Sequence, residues 1–91
     1  MQSVHANAKP GGPQSPFPGI VFSLSWNADG KTIAFGAADG TVRLIDVDSQ
    51  NVKDILLGHY GEVMRVRWSP DGTRLASSDF NGTIIIWKAK E

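Results

Sequence analysis

The chain has 91 residues, enough for one small domain, and a domain this short buries only a modest share of its surface, so it is marginal without outside help. It contains no cysteine, which excludes disulfides and thiolate metal sites but says nothing about compartment. Nine Lys or Arg residues balance nine Asp or Glu residues, so no bulk field recruits nucleic acid or an anionic membrane, and neither is expected as a partner.

The first residues, Met1-Gln2-Ser3-Val4-His5-Ala6-Asn7, show no basic segment followed by an apolar run, and no apolar stretch approaches the roughly 18 residues that span a bilayer. The expectation is a soluble protein of the cytoplasm or nucleus, not a secreted one. Pro10, Pro13, Pro16 and Pro18, together with Gly11, Gly12 and Gly19, crowd the start of the chain and resist both helix and sheet ladders. Residues 1–19 therefore read as a flexible lead-in. It holds the PxxP spacing twice, at Pro10 to Pro13 and Pro13 to Pro16, a linker composition that could also dock an SH3-type groove. A short strand at residues 3–6 is a weaker feature of the same segment.

From Ile20 onward short runs of β-branched and aromatic residues alternate with tight-turn pairs, namely Asp29-Gly30, Asp39-Gly40, Asp71-Gly72 and Asn81-Gly82. Glycine supplies the positive φ such hairpins need. The pairs predict seven strands, at residues 20–26, 32–37, 41–47, 52–57, 63–69, 74–78 and 83–88. Shifting the chain by 42 residues places Val21 on Val63, Trp26 on Trp68, Asp29-Gly30 on Asp71-Gly72, Ala34 on Ala76 and Gly40-Thr41 on Gly82-Thr83 without a gap. Apolar positions recur with the turns, Leu24 on Val66, Ile33 on Leu75, Val42 on Ile84 and Leu44 on Ile86. A period of about 40 to 45 residues with four strands per unit is the spacing of propeller blades.

The second repeat carries Gly58-His59, Ser69-Pro70-Asp71-Gly72, Leu75-Ala76-Ser77-Ser78, Asn81-Gly82-Thr83 and Ile84 to Trp87, and on these residues the chain resembles the tryptophan-aspartate (WD) repeat family. The resemblance covers about Val21 to Lys88 and implies an all-β fold of two four-stranded antiparallel blades. The second blade lacks its outer strand unless the N-terminus or another chain supplies it. The organisation expected is a lead-in at 1–19, a first repeat at 20–60 and an incomplete second repeat at 61–91.

The family's buried hydrogen-bonded tetrad falls by this resemblance on His59, Ser77, Asn81 and Trp87, with asparagine standing where the family has aspartate. The amide oxygen can still accept from an imidazole N–H, but without the charge that makes such a bond stronger. In the first repeat Phe17, Phe35 and Ile45 occupy the other positions and only Asp39 remains, so apolar packing replaces the network there.

Ser77, His59 and Asn81 also have the residue types of a nucleophile, base and orienter, a remote hydrolase alternative. A buried blade network requires the same residues to satisfy its polar groups, so no catalytic role is assigned. No cofactor or metal is expected: His5 and His59 are far apart in sequence, and the carboxylates sit mostly in turns. Arg65 and Arg67 read as a solvated or partner-facing edge.

What remains is a protein-interaction scaffold or adaptor. The loops that dock partners in the family correspond here to Glu62, Met64 and Phe80 in the second repeat and to Ile20, Phe22 and Ala38 in the first, with Tyr60 near the same rim. Two blades leave apolar faces uncovered, so the chain is expected to self-associate, three copies closing six blades or four closing eight, or to be a fragment of a larger propeller.

Overall fold

Each Asp-Gly or Asn-Gly pair reverses the chain, and the runs between them are too short and too rich in Val, Ile, Phe and Trp to do anything but pair laterally. The computed structural model describes residues 19–88. The candidate strand at residues 3–6 and both PxxP motifs lie outside them. The described residues form seven strands and no helix: β1 (Val21–Trp26), β2 (Thr32–Ala37), β3 (Val42–Asp46), β4 (Val52–Leu56), β5 (Val63–Trp68), β6 (Arg74–Asp79) and β7 (Ile84–Lys88). Strands β1-β2-β3-β4 make one antiparallel sheet in chain order, and β5-β6-β7 make a second. Among the described residues no strand pairs with the outer edge of β7.

The two sheets stack face to face. Ala34 and Val42 of the first sheet meet Val63, Val66 and Leu75 of the second in one buried cluster, and Leu44, Leu56, Trp68 and Trp87 pack around it. The closest approach is at Gly36: a Cβ there would stand 2.5 Å from Val63 Cγ1 and 2.9 Å from the Val63 carbonyl oxygen. Glycine thus lets β5 lie directly on β2. A second buried cluster, Phe35, Ala37 and Ile45, occupies the opposite face of the first sheet with Val21 and Val52 beside it.

Serines join the inner strands. Ser23 Oγ and Ser25 Oγ of β1 accept from the Val66 and Trp68 amides of β5 at 3.3 and 3.4 Å, and the Trp68 indole N–H donates to the Ser25 carbonyl at 3.1 Å. Asn27 Nδ2 donates to the Gly72 carbonyl at 3.0 Å. These bonds occupy amide groups that a strand edge would otherwise leave bare.

The 42-residue repeat makes an internal control for what a neighbour covers. Val66 is 6% exposed where the first sheet lies on it, while its counterpart Leu24 is 59% exposed. On the other side Val42 is fully covered by the second sheet, while its counterpart Ile84 is 69% exposed. Each sheet therefore has one face covered by its neighbour and one that leaves large apolar side chains, Leu24 and Trp26 or Ile84 and Ile86, in the open.

The turns at the opposite end from His59 are held by carboxylates. Asp71 Oδ1 accepts from Ser69 Oγ at 2.7 Å, from the Thr73 amide at 3.0 Å and from Thr73 Oγ1 at 2.8 Å. Those bonds, the Ser69 hydroxyl first, hold the carboxyl down at about 2. A carboxyl whose folded value lies below its unfolded one stabilises the fold above the unfolded value, and that contribution disappears as pH falls through the folded value. The stability difference between the wild-type chain and Asp71→Asn is expected to stay constant above about pH 5 and to close between about pH 4 and pH 2. Urea midpoints measured across that range check it.

Candidate functional site

The strand alternation of β6 sends Leu75, Ser77 and Asp79 to the face that meets the first sheet. Gly58-His59, between β4 and β5, brings the imidazole down onto that row. His59 Nδ1 lies 2.7 Å from Asp79 Oδ2, His59 Nε2 lies 2.6 Å from Ser77 Oγ, and the Trp87 indole N–H donates to Ser77 Oγ at 2.8 Å. His59, Ser77 and Asp79 are buried. One assignment gives every proton an acceptor. The carboxylate can only accept, so Nδ1–H donates to it; Nε2 then accepts the Ser77 hydroxyl proton, and the serine oxygen accepts from Trp87.

The acid of this network is Asp79 and not Asn81. Asn81 lies two residues further on, in the turn, where its amide packs against Gly61. Its backbone N–H donates to Asp79 Oδ1 at 2.9 Å, and the Thr83 amide donates to the same oxygen at 3.0 Å. Asp79 therefore holds His59 with one oxygen and the β6–β7 turn with the other. Burial works to raise its carboxyl, but bonds from His59 and from the Thr83 and Asn81 amides outweigh that, and the net direction is downward. The signal that could have located it is the two-residue period running from Ser77 to Asp79.

Asp39 belongs to no such network. It is the counterpart of Asn81 and closes its own turn, accepting from the Thr41 amide and hydroxyl at 3.0 and 2.6 Å and pairing with Arg43 at 3.3 Å. The position matching Asp79 in the first sheet is Ala37, which is buried. Gly40, with φ of +86°, seats that turn against the carbonyl oxygens of His59 and Gly61, where a Cβ would stand at 3.1 and 3.2 Å. The two sheets are joined at this end through that contact.

Ser77, His59 and Asp79 have the hydrogen-bond order of a nucleophile, base and orienter. The same bonds serve a buried structural network: the Trp87 indole N–H occupies the serine oxygen, and His59, Ser77 and Asp79 are buried. A fluorophosphonate probe is expected to leave Ser77 unlabelled in the folded chain, which intact-mass measurement would establish. Among the described residues no group of three His, Cys, Asp or Glu side chains could hold a metal ion.

Two family models match the chain, one described as "WD domain, G-beta repeat" over residues 50–88 and one as "Anaphase-promoting complex subunit 4 WD40 domain" over residues 13–56. The chain belongs to the WD-repeat family. Among similar proteins, "Protein HIRA" of Caenorhabditis elegans is 36% identical over 86 residues, covering 76% of this chain and 9% of that protein. "Serine-threonine kinase receptor-associated protein" of Dictyostelium discoideum is 35% identical over 82 residues, covering 82% and 28%. "Probable cytosolic iron-sulfur protein assembly protein CIAO1 homolog" of Schistosoma japonicum is 34% identical over 79 residues, covering 78% and 21%. This WD-repeat chain thus spans less than a third of the length of these relatives.

The rim residues are gathered at the end of the WD-repeat pair that carries His59. The Phe80 amide donates to the Glu62 carbonyl at 2.9 Å and the Ala38 amide to the Ile20 carbonyl at 3.0 Å, so the two blades present matched pairs. β1 and β5 each break register at one residue, between Val21 and Ser23 and between Val63 and Arg65. The irregularities leave Phe22 and Met64 at equivalent positions without a paired residue, both exposed. Tyr60 is 99% exposed and Phe80 73%, and Ile20 and Glu62 are exposed as well; Ala38 is half-buried. Arg65 and Arg67 are exposed on β5.

Proposed function

We propose that the chain is a non-enzymatic interaction scaffold that docks a protein partner on the rim formed by Ile20, Phe22, Ala38, Tyr60, Glu62, Met64 and Phe80. The observation that carries the reading is the concentration of exposed apolar side chains at one end of the blade pair, on residues that the strands do not need for pairing. Aromatic side chains on a rigid sheet rim lose little conformational freedom on docking and supply much of the energy of such contacts, and a methionine adapts its shape to the partner.

The open faces at Leu24 and Trp26 and at Ile84 and Ile86 have a different use. Their counterparts Val66 and Val42 are buried between the two sheets and Trp68 and Leu44 half-buried there, so we assign these faces to further blades that extend the array on both sides. Light scattering separates the sources of those blades: an assembly of three or four chains supplies them from copies, and a monomer leaves them to a longer polypeptide. The reading places the chain in the cytoplasm or nucleus, in keeping with a relative whose name contains the word cytosolic.

The test is a comparison of proteins retained from cell extract by the wild-type chain, by the rim variant Phe80→Ala/Met64→Ala and by the face variant Ile86→Lys. The rim variant is expected to lose a specific partner by about 30-fold or more, the effect of removing a hot spot of about 2 kcal/mol or above, with circular dichroism unchanged. Equal retention by the wild-type chain and the rim variant would sink the proposal.

A further inference from the structure

Of Asn7, Asn27, Asn51 and Asn81, only Asn81 precedes a glycine. An asparagine in that position can rearrange without an enzyme. The Gly82 backbone nitrogen, once solvent hydroxide takes its proton, attacks the Asn81 side-chain Cγ; a cyclic imide closes as the Cγ–Nδ2 bond breaks and ammonia leaves. Water then opens the imide at either carbonyl, leaving aspartate or isoaspartate. Both residues are exposed, and a Cβ at Gly82 would meet nothing within 4 Å, so neither a following side chain nor a neighbour crowds the attack.

The fold withholds the nucleophile. The Gly82 N–H that must lose its proton donates to the Asp79 carbonyl at 3.0 Å. The turn around it hangs on the Asp79 side chain, whose Oδ1 accepts from the Asn81 and Thr83 amides at 2.9 and 3.0 Å. Reaction therefore waits for this turn to open, and its rate follows the population of the opened turn.

The first sheet shows what the product would do. There the counterpart of Asn81 is Asp39, which itself takes the Thr41 amide and hydroxyl at 3.0 and 2.6 Å, and the counterpart of Asp79 is the buried Ala37. An aspartate formed at position 81 claims the Thr83 amide that Asp79 now holds, and it sets a second negative charge beside the first. Isoaspartate also carries the side-chain methylene into the backbone, which displaces Thr83 from Asp79. We infer that Asn81-Gly82 is a site of spontaneous conversion to aspartate and isoaspartate, held in check by the turn that Asp79 ties, and that the product loosens that turn.

The experiment incubates the full chain at mildly alkaline pH and follows the reaction by intact mass and peptide mapping. Conversion at Asn81 is expected to be at least about tenfold faster in urea than in the folded chain. In urea Gly82→Ala should slow it. Asp79→Ala, shown by circular dichroism to be folded, should convert faster than the wild-type chain, whereas His59→Ala, which keeps both turn bonds to Asp79, should convert at nearly the wild-type rate. Should Asp79→Ala not fold, hydrogen exchange of the Gly82 amide in the wild-type chain decides, because conversion must track the opening of that amide. Asn81→Asp should melt below Asn81→Ala. Conversion as fast in the folded chain as in urea, equal rates in folded Asp79→Ala and the wild-type chain, conversion that tracks only global unfolding, or an Asn81→Asp variant that melts above Asn81→Ala would each overturn the inference.

Discussion

Asp79→Ala is expected to lower the melting midpoint of the chain by on the order of 15 °C, whereas Asn81→Ala should move it by only a few degrees. The asymmetry follows from what each side chain serves. Removing the Asp79 carboxylate leaves the His59 Nδ1–H without an acceptor between two sheets and strands the Asn81 and Thr83 amides at the turn. A buried group that loses its partner bears its full desolvation cost. Asn81 contributes a backbone amide that alanine also has, so only its side-chain contact with Gly61 is lost. Asp79→Asn should fall between the two. Its amide oxygen can still accept at the turn, but keeping the bond to His59 makes Nδ1 the acceptor. Nε2–H then has to donate to Ser77, whose own proton is left without a place. Thermal melts followed by circular dichroism on the three variants check the order; Asn81→Ala as damaging as Asp79→Ala would overturn the assignment.

Gly36→Ala is expected to cost about 1 to 3 kcal/mol and to loosen one sheet from the other. The added methyl would fall 2.5 Å from Val63 Cγ1, 3.0 Å from Val63 Cβ and 2.9 Å from the Val63 carbonyl oxygen. A side chain can rotate away, but the carbonyl belongs to a paired strand and cannot. Adding Val63→Ala should therefore recover only part of the loss, a non-additive result that urea midpoints of the single and double variants would expose. Trp68 gives a second readout. Its indole is half-buried and bonded to Ser25 across the same boundary, so its emission should shift to longer wavelength as the sheets part. Full recovery in the double variant would show that the contact is with the side chain alone.

These two variants also mark where sequence reasoning and structure part. The turn pairs and the 42-residue register locate all seven strands to within about a residue, because hairpin chemistry is local and a glycine with positive φ announces itself in the sequence. His59, Ser77 and Trp87 are located in the sequence by the resemblance to the family, and the structure bonds them together. The acid is not located that way. Asn81 occupies the turn position that the resemblance favours, and Asp79 two residues earlier looks like an ordinary polar residue at a strand end. The rim was visible as a set of residue numbers, but their convergence on one edge and the opposition of Glu62 to Phe80 depend on register.

The sequence by itself determined the repeat, the strands and their turns, since each rests on chemistry between neighbours along the chain. Only the tertiary structure decided that Asp79 holds His59, that Gly36 admits Val63 and that Leu24 and Ile84 stand open where Val66 and Val42 are covered. Those outcomes depend on which faces of two separate sheets meet. Residues identical in local pattern differ there only in what lies across from them.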